Sequence, residues 1–197
     1  MAVLPRRFYA RDSLVVAPEL IGCTLVRRDE HGSIGGLIVE VEAYRGGDDP
    51  ASHAYRGETP RTRSMFGPPG RAYVYFIYGM HHCLNVVTGP AGVGQAVLVR
   101  ALAPTVGLAR WRAQSPDVPL LRAAAGPGLA ARGLGLTRAD DGLDLLGPAL
   151  VVRPRRGPAP PVASGPRIGL SRAREQPWRF WWEGHPSVST RGHAREG

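Results

Sequence analysis

The stretch Leu37-Ile38-Val39-Glu40-Val41-Glu42-Ala43-Tyr44 limits most tightly what this chain can become. Side chains alternate across a strand, so Leu37, Val39, Val41 and Ala43 are expected on one face and Glu40, Glu42 and Tyr44 on the other. The apolar face belongs in a core. The opposite face then presents two carboxylates and an aromatic ring at a strand end. Charges directed outward are also what any half-exposed strand shows, so this pattern alone predicts a strand and no particular chemistry.

A second run, Ala72 to Tyr78, carries three tyrosines in six residues and is β-prone. Gly79 turns it, and another strand is expected from about Cys83 to Thr88. Buried tyrosine hydroxyls need partners, and several together suit a surface that stacks on flat rings, although a plain aromatic hairpin reads the same way. A turn at Gly79 would let Tyr78 sit at the hairpin tip, pointing outward as a wedge.

Around these two runs the chain alternates strand and helix signals. Asp12-Ser13 caps a helix over Leu14–Ile21, stopped by Gly22, with Pro18 inside it. Thr24–Val26 and Ile34–Tyr44 read as strands about a turn at Asp29–Gly32, and Gln95–Leu102 as another. Helical pattern appears at Val106–Arg112 and Leu129–Leu134. Arg153–Pro161 is an irregular surface segment, Arg167–Leu170 and Trp178–Glu183 read as late strands, and the tail after about residue 190 is expected to fray. Residues 45–71 form a polar loop, and loops longer than about 12–15 residues are commonly functional. The expectation is one α+β domain over residues 1–197, with a curved, largely antiparallel sheet flanked by helices and a protruding β-hairpin.

Composition narrows the function. The chain has 197 residues, enough for one domain with a real core, and no apolar run approaches the roughly 18 residues needed to span a bilayer. The N-terminus is too quickly charged for a secretory signal, so a cytoplasmic address and no membrane partner are expected. Cys23 and Cys83 lie in no metal-ligand spacing; they could pair, but free buried thiols are the expectation. No metal site and no cofactor is foreseen. The formal net charge is +9, which leans towards a polyanion. All 25 basic residues are arginine. A GC-rich genome would explain arginine in place of lysine, but not the excess of base over acid. The missing lysine excludes any Schiff-base chemistry through a lysine side chain.

Beyond these readings, an ordered set of blocks resembles the alkyladenine (3-methyladenine, or N-methylpurine) DNA glycosylase family. The blocks are Glu40–Tyr44, Ala51-Ser52-His53, Thr59–Phe66, Tyr73–Met80, Cys83-Leu84-Asn85, Leu98–Leu102, Gly126-Pro127-Gly128 and Arg167-Ile168-Gly169. The resemblance implies a monomeric enzyme that flips a damaged purine out of double-stranded DNA and hydrolyses its glycosidic bond. It implies Glu42 as the base that activates water, with Arg100 and the backbone carbonyl of Ile168 holding that water. Tyr44 and Tyr75 would sandwich the base, His53 and the Ala51 backbone would meet its edge, and Asn85 would obstruct the exocyclic amine of guanine. Tyr78 would be the wedge, and Thr59, Arg61, Arg63 and Met80 would touch DNA. Leu129 stands where the family often has lysine, so a phosphate contact is expected to be lost or supplied by a neighbour such as Arg132. His81 and His82 replace residues that are usually aromatic or apolar.

With no lysine, the expected product is an abasic site without strand cleavage. The main alternative is a catalytically silent DNA-lesion-binding protein of the same fold. A hydrolase of small nucleosides fits the charge poorly, and a generic RNA-binding module leaves Glu42 unexplained.

Overall fold

The computed structural model describes residues 2–77 and 79–189. Tyr78, the expected wedge, and the tail from Thr190 lie outside the described residues. The strand carrying Glu40 and Glu42 is the spine of the molecule. This strand, β2 (Gly32–Tyr44), pairs along one edge with β5 (Gln95–Val106). Along its other edge it pairs first with β1 (Thr24–Asp29), then, from Glu40 to Glu42, with β8 (Arg179–Trp182). Strands β3 (Ala72–Ile77) and β4 (His81–Thr88) form the expected hairpin and continue the sheet beyond β5. β6 (Leu150–Arg153) borders β1, and β7 (Val162–Gly165) borders β8. Every pairing is antiparallel, and the sheet curls into a half-barrel with a few helices about it, the expected α+β domain.

The alternation along β2 breaks at its middle. Ile38 faces Leu102, Glu40 faces Ala101 and Val41 faces Val99, so Val39 on β2 and Arg100 on β5 each fall outside the ladder. An extra residue of this kind shifts which face its neighbours address. Ile38, Val41 and Ala43 therefore enter the main core, whereas Leu37 and Val39 pack with Ala101, Ala103, Trp182 and Val188 in a separate cluster. The single apolar face expected for Leu37, Val39, Val41 and Ala43 is thus corrected. A strict period of two holds only while the ladder is regular.

Helix α1 (Arg6–Tyr9) precedes α2 (Ser13–Leu20), whose first turn is capped by the Asp12 carboxylate accepting from the Leu14 amide at 2.9 Å. Pro18 lies inside α2 and ends nothing; the helix runs to Leu20, and the chain turns at Gly22 with φ +83°. Helix α3 (Leu108–Gln114) starts later than expected, because β5 continues to Val106 and Gly107 makes the turn. Its Trp111 is sealed in the core, donating to the carbonyls of Gly35 and Val106 at 3.1 and 3.2 Å. Helix α4 (Pro127–Gly133) packs on β4 and β5.

One further expectation changes. Arg167–Leu170 is not a strand; the late strands are β7 and β8, and 167–170 is an irregular crossing segment held by side-chain bonds. The 45–71 loop contains two short 3-10 turns, Gly46–Asp48 and Arg63–Phe66. Cys23 and Cys83 are both free and buried. Among the described residues, no helix is long and apolar enough to cross a membrane.

Candidate active site

The sheet separates the main core from a second, aromatic cluster that includes Tyr73, Tyr75, Cys83 and Leu98, with Tyr44 packed against it. On that face Tyr73, Asn85, Leu98, Glu42 and Arg179 are successive cross-strand neighbours, with Tyr75 opposite Cys83 one step along. The 45–71 loop, the Gly126–Leu129 turn and the Ile168–Leu170 segment close over this row. They enclose a cavity of about 930 Å³. Glu42, Tyr44, Ala51, His53, Tyr75, Met80, Asn85, Arg100 and Ile168 all border it. Residues spread over 127 positions of sequence thus meet in one hollow.

Glu42 forms part of the cavity floor and is held from three sides. Its Oε1 accepts from the Ile168 amide at 2.8 Å and lies 3.1 Å from Arg100 Nη1; its Oε2 accepts from the Tyr44 hydroxyl at 2.9 Å. The peptide group of Ile168 that meets Glu42 is the N–H, whereas the expectation concerned the carbonyl. Glu42 is 0% exposed although it borders the cavity, so its two hydrogen-bond donors and the Arg100 guanidinium cover the carboxylate in this conformation. Arg100 is nearly buried as well. Burial works against its charge, but Glu42 and Glu40 outweigh that and raise its pKa above the ordinary arginine value. The Tyr44 hydroxyl is pushed well up by burial and by the adjacent Glu42 charge, so it stays protonated and donates.

The aromatic walls are braced. Tyr73 and Tyr75 stack at 5.4 Å between centroids, and the His53 ring meets Tyr75 edge-on at 4.6 Å. His53 Nδ1 lies 3.1 Å from the Tyr73 hydroxyl. Desolvation, with the Arg61 charge nearby, lowers the His53 pKa, so the ring is neutral at pH 7. Burial pushes the Tyr73 hydroxyl up to about 12 and that of Tyr75 higher still. Asn85 is buried and donates to the Tyr73 carbonyl at 3.2 Å.

The described residues expected to touch DNA are spread over the 45–71 loop and the hairpin. The Arg61 guanidinium sits 5.9 Å from the Tyr75 ring centre, Arg63 faces Glu58 at 3.5 Å, and Thr59 bonds Thr62 within its own turn. Met80 is strongly exposed on the hairpin. A smaller hollow of about 440 Å³, bordered by Arg56, Thr59 and Arg172, shares His53 and Gly169 with the main cavity. Leu129 borders the cavity, and Arg132 donates to the Ser115 hydroxyl at 3.5 Å. His82 packs on Phe76, while His81 borders the cavity against Gly128. Among the described residues, no group of three or more His, Cys, Asp or Glu side chains is arranged to hold a metal ion.

Sequence reasoning missed the supports. Arg167 and Asp49, both wholly buried, form a two-bonded ion pair. The Arg167 guanidinium also lies 4.6 Å from the Tyr44 ring and 4.9 Å from Trp178. Asp49 and Arg167 are 118 positions apart, and no local signal pairs them. Glu40 lies behind the cavity, joined to Arg100, Arg179 and Ser189.

A profile of the methylpurine-DNA glycosylase family matches residues 7–186. Three similar relatives carry the words 3-methyladenine DNA glycosylase in their names. One, from Rhodopseudomonas palustris, is 50% identical over 178 residues, covering 90% of this chain and 84% of its own. Another, from Methanoculleus marisnigri, is 48% identical over 195 residues, covering 95% and 99%. A third, from Frankia casuarinae, is 47% identical over 194 residues, covering 92% and 90%.

Proposed function

The chain belongs to the methylpurine-DNA glycosylase family, and from that premise we propose that it everts a damaged purine nucleotide from duplex DNA and hydrolyses its N-glycosidic bond. The observation that carries this reading is Glu42, held at the floor of an aromatic cavity by Arg100, the Ile168 amide and the Tyr44 hydroxyl. A carboxylate held in such a place is suited to general-base work.

In the proposed step, water replaces the Tyr44 hydroxyl at Glu42 Oε2. Its oxygen attacks the sugar C1′ as the C1′–N bond breaks. The bonding electrons leave with the purine, and the proton of water passes to Glu42. An alkylated, cationic purine departs as a neutral base; a neutral lesion must gain a proton as it leaves. Eversion costs a few kcal/mol of stacking, least for a damaged base, and the Tyr44 and Tyr75 rings return part of it by stacking on the purine. Asn85 at the cavity wall would meet the exocyclic amine of guanine and so penalise normal DNA. The product is an abasic site with the strand intact.

Charge supports a duplex partner. The net charge of +9, the exposed Arg56 and Arg172 beside the smaller hollow, and the exposed Arg61 and Arg63 of the 45–71 loop suit a phosphate backbone. Tyr78 is assigned the wedge role from the family resemblance alone. A catalytically silent lesion-binding protein would need the aromatic rings but not a carboxylate clamped by an arginine.

The test is Glu42→Gln on duplexes carrying single defined lesions, such as a methylated purine, hypoxanthine or an etheno adduct. Base release, read as strand breaks after alkali, is expected to vanish while binding to the lesion duplex persists. Base release at the normal rate would remove Glu42 from the role.

A further inference from the structure

We infer that Glu40 is a positioning residue: it confines Arg100 to one oxygen of Glu42 and thereby reserves the other oxygen for water. This rests on the reading of Glu42 as the base.

Glu40 is 0% exposed and takes no part in the cavity lining, yet it collects four donors. Its Oε1 accepts from Arg100 Nε at 3.1 Å, Arg179 Nη1 at 3.2 Å and Ser189 Oγ at 2.9 Å; its Oε2 accepts from the Ser189 amide at 2.7 Å. Arg100 therefore bridges two carboxylates, with Nε on Glu40 and Nη1 on Glu42 Oε1.

A guanidinium offers a planar fork that suits two-point pairing with a single carboxylate. At Glu42 that pairing would occupy both oxygens. Glu40 opposes it by engaging Nε, which takes the side-on fork and leaves Nη1 to meet Glu42 Oε1 at 3.1 Å. Arg179 is itself fixed by stacking on Trp181 at 4.3 Å and by donating to the Pro166 carbonyl at 3.0 Å, so it stays with Glu40. Among the described residues, the one hydrogen-bond partner of Glu42 Oε2 is the uncharged Tyr44 hydroxyl. Water, which like the Tyr44 hydroxyl offers an uncharged O–H to the carboxylate, exchanges with that hydroxyl more readily than with a second guanidinium nitrogen, whose bond would join two opposite charges. The bulge that takes Arg100 out of the β2–β5 ladder accompanies this arrangement, since Arg100 lies between the two carboxylates.

The test compares single-turnover base release with affinity for the same lesion duplex. Glu40→Gln removes the anion and places an amide N–H among donors. It is expected to slow release by roughly tenfold or more, a part of the 10²–10⁴ that a positioned base contributes. Affinity should stay within about threefold, because phosphate contacts set most of it. In the Glu40→Gln background, Arg100→Met should cost no more than the worse single change, because the released guanidinium is then an inhibitor of the base. A folded Glu40→Gln protein with the wild-type rate, or losses that add, would overturn the inference. Should Glu40→Gln not fold, Glu40→Asp, which keeps the charge but withdraws it, is read the same way: slower release at unchanged affinity supports the role and an unchanged rate overturns it. Glu42→Gln run beside them separates the two readings. An active Glu42→Gln removes the base itself, whereas an inactive one with a fully active Glu40→Gln removes only the role given to Glu40.

Discussion

Arg167 and Asp49 face one another, wholly buried, through two hydrogen bonds of 2.5 and 2.8 Å. The pair joins three parts of the site. Arg167 backs the Tyr44 ring and donates to the Ala43 carbonyl at 3.0 Å, and its neighbour Ile168 supplies the amide on Glu42. Asp49 accepts from the Ala51 amide at 3.1 Å and so shapes the turn that carries Ala51 and His53. Asp49→Asn would leave a buried guanidinium without its counter-charge. Removing one partner of a buried pair costs roughly 3–5 kcal/mol. Urea unfolding at pH 7 should show a loss of that size, and the folded protein should release base more slowly. A midpoint unchanged from wild type would show the pair to be dispensable.

His53 gives a pH signature. Partial desolvation at the cavity edge, helped by Arg61, lowers its folded pKa below the unfolded value of about 6.5. Above that value both states hold a neutral ring. As pH falls through it the unfolded chain takes the proton first, so the contribution of His53 to stability is lost on acidification. Base release by the wild type should decline on the acid side with an inflection below about pH 6.5 that His53→Asn removes. The same inflection in the His53→Asn rate profile would assign it elsewhere.

The absence of lysine makes a chemical prediction. Borohydride added during turnover should trap no covalent protein–DNA adduct through a side chain, because no lysine amine exists to form one. Lesion strands should stay full length until alkali is applied. Breaks without alkali would contradict simple hydrolysis.

Gly133 tests the core beneath the site. A Cβ there would fall 1.9 Å from Trp111 Cζ3, and the Trp111 indole is pinned by its two hydrogen bonds. Overpacking of this kind costs roughly 1–3 kcal/mol. Gly133→Ala should therefore melt several degrees lower, about 2–4 °C for each kcal/mol in a chain of this size. An unchanged melting temperature would mean that α4 shifts freely.

The hairpin of β3 and β4, the long β2 strand and the α+β class were legible because apolar and aromatic spacing records them locally. The segment around Ile168 was misread as a strand. Its run of Arg-Ile-Gly-Leu has the composition of one, but its backbone and side chains bond to Glu42, Ala43 and Asp49 instead of to a neighbouring strand. The face assignment of Leu37 and Val39 failed for a different reason. A bulge leaves no mark in hydrophobic alternation, and one extra residue reverses every side chain beyond it.

Composition and short-range pattern by themselves determined the strands, a strong basic charge, the lack of any lysine amine and the residue types able to do the chemistry. Only the tertiary structure decided that Glu42 meets Arg100 and Ile168, that Glu40 stands behind Arg100, and that Asp49 pairs with Arg167. Those contacts join positions 58 to 126 residues apart, at distances set by sheet pairing and burial. A buried charge is tolerable only where a partner is delivered to it, and that delivery belongs to the whole fold.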